Sequence, residues 1–141
     1  MADGMNVRTL DDRTLIAGQI RPEDATEAAA LGVTLIVNNR PDGEEPDQPE
    51  GSAIEAAARA AGLDYRAIPV AGGIGPEQIE AMAALLAGAE GRVLAFCRSG
   101  TRSIYLWALA EARRGVGGDA ILARAEAAGC DLSPLGPYLL R

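Results

Sequence analysis

Val93-Leu94-Ala95-Phe96-Cys97-Arg98-Ser99-Gly100-Thr101-Arg102-Ser103 is a short apolar run that breaks at a cysteine, and the chain then resumes as Ile104-Tyr105-Leu106-Trp107-Ala108-Leu109-Ala110, apolar all round. The first run has the length and composition of a buried strand. The second is the pattern of a helix in the middle of a fold. Between them the backbone must turn sharply, and Gly100 permits a conformation that other residues resist. In such a turn successive N–H groups point inward and form a nest for an anion, and the helix that follows adds its positive end. Arg102 can close the nest as a planar two-donor fork, while Ser99, Thr101 and Ser103 add hydroxyls. A cysteine in that field is favoured as thiolate, which is the nucleophilic form. Cys97 is therefore the candidate nucleophile and Arg102 the candidate oxyanion clamp, with the main-chain amides of Arg98 to Arg102 as the chief charge stabilisers. Arg98 is a further substrate-binding candidate with Ser99, Gly100, Thr101 and Ser103, its side chain a weaker one than that of Arg102 because a surface position facing water is the alternative. Tyr105 and Trp107 read as core residues.

Working outward, Val7-Arg8-Thr9-Leu10 and Thr14-Leu15-Ile16-Ala17 flank Asp11-Asp12-Arg13 and read as two strands joined by a tight turn. Pro22-Glu23-Asp24 opens a helix that stops at Gly32, and Val33 to Val37 is a buried strand. Ser52-Ala53-Ile54-Glu55 has the spacing of a capping box for a helix that ends at Gly62. Asp64 to Val70 is a strand interrupted by Pro69, and Gly72-Gly73-Ile74-Gly75 is a flexible loop before a helix opened by Pro76-Glu77. Ile79, Met82, Ala83 and Leu86 share one face of that helix. Asp119 caps a last helix ending at Gly129, and the tail from Asp131 to Arg141 packs back over the domain. Strands alternating with helices give an α/β fold in three layers, with a mostly parallel sheet of four to five strands between helices. The strand before Cys97 is expected at its centre, because the most apolar helix follows it. Ligands of open α/β sheets bind beyond the carboxyl ends of the strands, where Cys97 falls.

Composition narrows the chemistry. The chain has 141 residues, suiting a single domain spanning 1–141, with 48% hydrophobic but only 4% aromatic residues. The net charge of −7 disfavours nucleic acid and anionic membranes as partners, so an anionic substrate must be captured by local positive charge. Histidine is absent, which removes Cys-His dyads and imidazole metal ligands. Two cysteines, Cys97 and Cys130, do not make a structural zinc site, and no metal or cofactor is expected. The start, MADGMNVRTLDDR, lacks the basic and apolar regions of a signal peptide, and no run is long enough to span a bilayer, so the expected location is the cytoplasm, where a disulfide is disfavoured. Asn38 to Gly51, with three prolines, is a long loop that either covers a site or is a solvated excursion.

Four separated motifs carry a resemblance: Ala17-Gly18-Gln19-Ile20, Asn39-Arg40-Pro41-Asp42-Gly43-Glu44-Glu45, Ile68-Pro69-Val70 and Cys97 to Ser103. In this order, over about residues 7 to 112, the chain resembles the beta-lactamase-hydrolase-like, phosphatase-like domains, a bacterial family of the cysteine-dependent protein-tyrosine-phosphatase fold. The loop CRSGTRS by itself looks like the active loop of rhodanese-type sulfurtransferases. The resemblance implies either phosphate ester hydrolysis or sulfane-sulfur transfer, in free-standing domains or in domains fused to enzymes of sulfide and persulfide oxidation.

Three departures from the phosphatase pattern weigh on that choice. Four residues separate Cys97 from Arg102, one fewer than in the phosphatase signature, which suggests a smaller cradle. Phe96 stands where phosphatases usually carry histidine. The loop Ala71 to Gly75 holds no aspartic acid to protonate a leaving group, leaving Glu77 or Asp42 as stand-ins. Arg40 and Glu44 are further candidates if the long loop lies over the pocket. Sulfite leaving from thiosulfate needs no proton, so the leading expectation is a sulfurtransferase that carries sulfane sulfur as a Cys97 persulfide from thiosulfate or a small persulfide to a thiol acceptor, with a partner enzyme of sulfide oxidation. The alternatives are a phosphatase of the tyrosine or dual-specificity kind and a non-catalytic anion- or persulfide-binding module, with a redox-sensing Cys97 as its variant. Oligomeric state is not legible.

Overall fold

The computed structural model describes residues 5–139; the first four residues of the amino-terminal stretch and the last two of the tail lie outside it. Strands β1 (Val7–Asp11) and β2 (Thr14–Ala17) form the expected hairpin. Pro22–Asp24 is only a 3-10 turn, after which helix α1 runs Ala25–Ala30. Strand β3 (Val33–Asn38), helix α2 (Gly51–Ala60) and strand β4 (Asp64–Ala67) follow. Then come α3 (Pro76–Gly88), β5 (Arg92–Phe96), α4 (Thr101–Arg113), α5 (Gly118–Ala127) and a short α6 (Gly136–Leu139).

The sheet order is β1-β2-β5-β3-β4. Only the β1–β2 pair is antiparallel, and β5 lies at the centre, parallel to both β2 and β3. Alternation along the strands divides the core in two. Val93 and Ala95 of β5 pack with Met82 of α3, Trp107 of α4 and Ile121 of α5. Leu94 and Phe96 pack on the other face with Ala28 of α1 and Ile54 of α2. This is the three-layer α/β architecture expected from the alternation of elements. It brings the loops after β2, β3, β4 and β5 to one end of the sheet.

Local details differ from the sequence patterns. Ser52 does not cap α2: the helix starts at Gly51, and the Asp42 carboxylate, from the preceding loop, accepts the Gly51 N–H at 2.8 Å. Asp119 lies inside the first turn of α5, whose N-cap is Gly117. The strand from Asp64 stops at Ala67, yet Ile68 and Val70 still donate to the carbonyls of Asn38 and Asn39 on either side of Pro69. The tail does fold back, burying Leu132 and Leu139, but it contains α6, so α5 is not the last helix. Among the described residues no helix is long and apolar enough to cross a membrane.

Two glycines shape the loop after β5. Gly100 has φ +97°, and a Cβ there would lie 2.5 Å from Arg8 Nη2 and 3.0 Å from Ile16 Cγ2. Gly18 lies so close that its Cβ would meet the Arg98 carbonyl oxygen at 2.9 Å, and the neighbouring Gln19 N–H donates to that oxygen at 3.1 Å. Gly100→Ala is expected to destabilise the protein by about 2 kcal/mol, from the left-handed backbone and the displaced Arg8 together. Urea denaturation would show it as a lower midpoint with unchanged slope.

Candidate active site

Cys97 follows β5 directly and lies at the floor of the loop, 0% exposed. It is not packed among aliphatic groups alone: the Gly100 N–H donates to its sulfur at 3.1 Å. The carbonyl of the same peptide unit, that of Ser99, accepts from Arg8 Nη2 at 3.0 Å. Arg8 Nη1 also donates to the Ala128 carbonyl, at 3.2 Å, at the end of α5. Cys97 and Cys130 are both free thiols, and burial pushes the Cys130 thiol up. Among the described residues no group of three His, Cys, Asp or Glu side chains could hold a metal ion.

Arg102, in the first turn of α4, is held in place by two acceptors. Its Nη1 donates to Glu44 Oε2 and to the Val70 carbonyl, both at 2.8 Å, and its Nη2 donates to Glu44 Oε1 at 2.9 Å. Counting donors shows what is left. A guanidinium has five N–H bonds, and these contacts consume both on Nη1 and one on Nη2. Nε–H and the remaining Nη2–H donate to no carbonyl or carboxylate among the described residues. They lie on one edge and form a second two-donor fork, the geometry that matches two oxygens of an oxyanion. The hydrogen bond to Glu44 raises the Arg102 pKa against the effect of burial, and the Cys97 side chain contributes in the same direction.

Glu44 comes from the long loop, which settles that loop's place: it lies against the cysteine loop and is not a free excursion. Arg40, only 4% exposed, gathers it from below. Its Nε donates to Glu44 Oε1 at 2.8 Å, Nη2 to Glu45 Oε1 at 2.7 Å and Nη1 to Gln19 Oε1 at 3.0 Å. Asn39, wholly buried, ties the same region together. Its Nδ2 donates to the Ile68 carbonyl at 2.9 Å, its Oδ1 accepts from Ser103 Oγ at 2.7 Å, and its N–H donates to the Phe96 carbonyl at 2.8 Å.

The sequence-derived candidates are placed as follows. Cys97, Gly100 and Arg102 come together. Ser99 and Thr101 are exposed at the mouth, their hydroxyls 3.3 Å apart. Ser103 is buried on Asn39 and offers no hydroxyl to a ligand. Arg98 faces water at 67% exposure, 3.4 Å from Glu45. Asp42 is engaged at the start of α2, and Glu77 is exposed in the first turn of α3. Arg8, Gln19 and Asn39 were missed as site residues. For Arg8 the one signal was a charge inside an otherwise strand-like run.

The Glu44 carboxyl is pulled down to about 2, first by the hydrogen bond from Arg102 and then by that from Arg40. Its folded value lies below its ordinary 4.5. The stabilisation is therefore complete above about 4.5 and is lost as the pH falls from there towards 2. Urea midpoints measured over this window are expected to fall with pH in the wild type, and to fall less in Glu44→Gln.

The model of the beta-lactamase hydrolase-like protein, phosphatase-like domain, matches residues 6–114. The chain belongs to that family. A beta-lactamase hydrolase-like protein of Xylella fastidiosa is 40% identical over 139 residues, covering 97% of this chain and 32% of its own length. The chain thus spans about a third of that curated relative. A candidate phosphatase from Neisseria meningitidis, known from its crystal structure, is 36% identical, with a TM-score of 0.81 over 96% of both chains. P. aeruginosa TpbA, solved as a cysteine-to-serine variant in complex with pTyr, is 16% identical with a TM-score of 0.64, covering 90% of this chain and 76% of its own; that likeness shows the fold alone.

These findings overturn the sulfurtransferase expectation and its rhodanese-like reading of CRSGTRS. The phosphatase-like domain family and the Neisseria structure support a hydrolase with a cysteine nucleophile instead. The expectation leaned on a loop one residue short. Yet the loop still turns at a left-handed Gly100 and still ends at the start of α4, where Arg102 is directed by Glu44 and Val70. The shorter spacing is accommodated without loss of the arginine fork.

Proposed function

We propose that this domain hydrolyses phosphate monoesters, in the manner of tyrosine and dual-specificity phosphatases, through a phosphocysteine at Cys97. The observation that carries the reading is the Nε/Nη2 edge of Arg102, which no carbonyl or carboxylate occupies and which Glu44 and Val70 hold in place. Two phosphoryl oxygens fit that edge, and a third faces the loop amides. The Cys97 thiolate attacks phosphorus, the bond from phosphorus to the ester oxygen breaks, and the leaving oxygen takes a proton. Water then attacks the phosphocysteine, releasing phosphate and restoring the thiolate. The relatives named phosphatase-like support the reaction class, and the pTyr complex of TpbA supports an aryl ester as a substrate to try first.

Proton supply is the weak part of this site. Residues 71–75 carry no acid, Asp42 is committed to Gly51, and Glu77 is exposed on α3. Esters with acidic leaving groups are therefore expected to react fastest. The test is release of inorganic phosphate from aryl phosphates at acidic and neutral pH, with and without vanadate. Vanadate-sensitive release supports the proposal; no release at any pH overturns it.

A further inference from the structure

Helix α4 presents Thr101, Tyr105 and Leu109 at i, i+4 spacing along one stripe, and these residues border a groove of about 510 Å³. Ile74 and Ile79 line it from the α3 side, and Leu135 and Tyr138 line it from the C-terminal segment. Its one charged lining residue among those described is Arg102, at the end where α4 begins. At that end the groove meets the first turn of α4, sharing Thr101 and Arg102 with the cysteine loop. No carboxylate lines it, although the chain carries a net charge of −7. Tyr138, at 60% exposure, is an unusually open aromatic and stands on this groove.

We propose that this groove holds the organic part of an extended aryl phosphate monoester whose phosphate occupies the cysteine loop. The inference rests on the phosphatase reading and adds to it the substrate's shape and the residues that select it. An aromatic body gains from burial against Tyr105, Leu109 and Tyr138, while its phosphate is held by Arg102 at the trough's end. A compact ester reaches the loop but leaves the groove unfilled. The C-terminal segment thereby becomes a determinant of specificity.

The experiment compares phenyl phosphate with 1-naphthyl phosphate, whose leaving groups are of similar acidity but differ in apolar surface. In the wild type, kcat/KM is expected to favour the naphthyl ester about tenfold, mostly through KM. In Tyr138→Ala and Leu109→Asn that ratio is expected to fall towards one. Tyr138 is exposed near the chain's end, so its variant reports even if Leu109→Asn fails to fold. Equal kcat/KM for the two esters, or a preference untouched in Tyr138→Ala, overturns the groove assignment while hydrolysis itself stands. Absence of hydrolysis of both esters overturns the phosphatase reading, and the groove's role with it.

The peptide unit between Ser99 and Gly100 carries a separate inference, from hydrogen bonds and not from a cavity. Its carbonyl is held by Arg8 and its N–H points at the Cys97 sulfur. Hydrogen bonding at a carbonyl polarises the peptide and strengthens the donor at its nitrogen. We infer that Arg8 is a positioning residue, acting on Cys97 through this single amide and anchored to α5 through the Ala128 carbonyl. In Arg8→Met the alkylation rate of Cys97 by iodoacetamide at neutral pH is expected to fall by up to about twofold, the fraction of one hydrogen bond that polarisation supplies. The Gly100 amide proton is expected to move upfield in the NMR spectrum, and Arg8→Lys to restore part of both. An unchanged alkylation rate and an unchanged Gly100 resonance in Arg8→Met, or in Arg8→Leu should the methionine variant not fold, overturn the assignment. Neither readout depends on which ester the enzyme cleaves.

Discussion

Cys97→Ser is expected to lose phosphate-releasing activity by roughly 10⁴-fold or more, as when a nucleophile is removed from a site whose parts act as a unit. The cause is chemical and not structural. Serine is close to cysteine in size, and the Gly100 N–H that donates to the sulfur at 3.1 Å can donate to a hydroxyl oxygen. The fold should therefore persist, and the variant should still bind inorganic phosphate on Arg102 and the loop amides. A hydroxyl at this position has no base to activate it: histidine is absent from the chain, and Glu44, the carboxylate held on Arg102, is pulled down to about 2. Steady-state phosphate release, beside phosphate binding by calorimetry, separates the lost reaction from a lost site.

Arg102→Lys is the second large effect. Lysine keeps the positive charge but has a single nitrogen. It can meet Glu44 or the Val70 carbonyl, but it cannot hold them and also offer a two-donor edge to the substrate. The expected loss is about 2–3 kcal/mol of transition-state stabilisation, on the order of a hundredfold in kcat/KM. A loss confined to KM would mean that Arg102 only binds; a loss in kcat as well places it on the developing charge of the transition state.

Much of the architecture was legible in the residues. The run Val93 to Phe96, followed by an all-apolar helix, marked β5 as the central strand, because only a helix covered on most sides tolerates that composition. Val33 to Val37 read as the buried strand β3, and Gly100 as the turn that needs a conformation other residues resist, which the structure shows to be left-handed. Helix starts were less legible: Ser52 and Asp119 have capping chemistry at suitable spacings, yet Asp42, nine residues before Gly51, supplies the carboxylate for α2. A local pattern cannot show that a loop folds back to provide a cap.

The cysteine loop itself was readable because its parts are contiguous. Its supports were not. Glu44 meets Arg102 across 58 positions of sequence, and Arg8 meets Ser99 across 91. Both contacts depend on strand order. The loop after β3 reaches Arg102 because β3 and β5 are neighbours, and Arg8 reaches Ser99 by way of β2, the strand between β1 and β5. The misjudged chemistry has the same origin. The count of residues between Cys97 and Arg102 suggested a smaller cradle, better fitted to a sulfane sulfur, whereas the arginine's useful edge is set by Glu44 and Val70, far away in sequence.

The most direct test of this account is to quench the wild-type enzyme with acid during turnover of an aryl phosphate, then map the peptides by mass and record the phosphorus NMR spectrum. The account predicts one phosphoryl group, bonded to sulfur, on the peptide containing Cys97. A quenched enzyme that has released phosphate through many turnovers but carries no phosphoryl group on that peptide, or carries it on another residue, would contradict it.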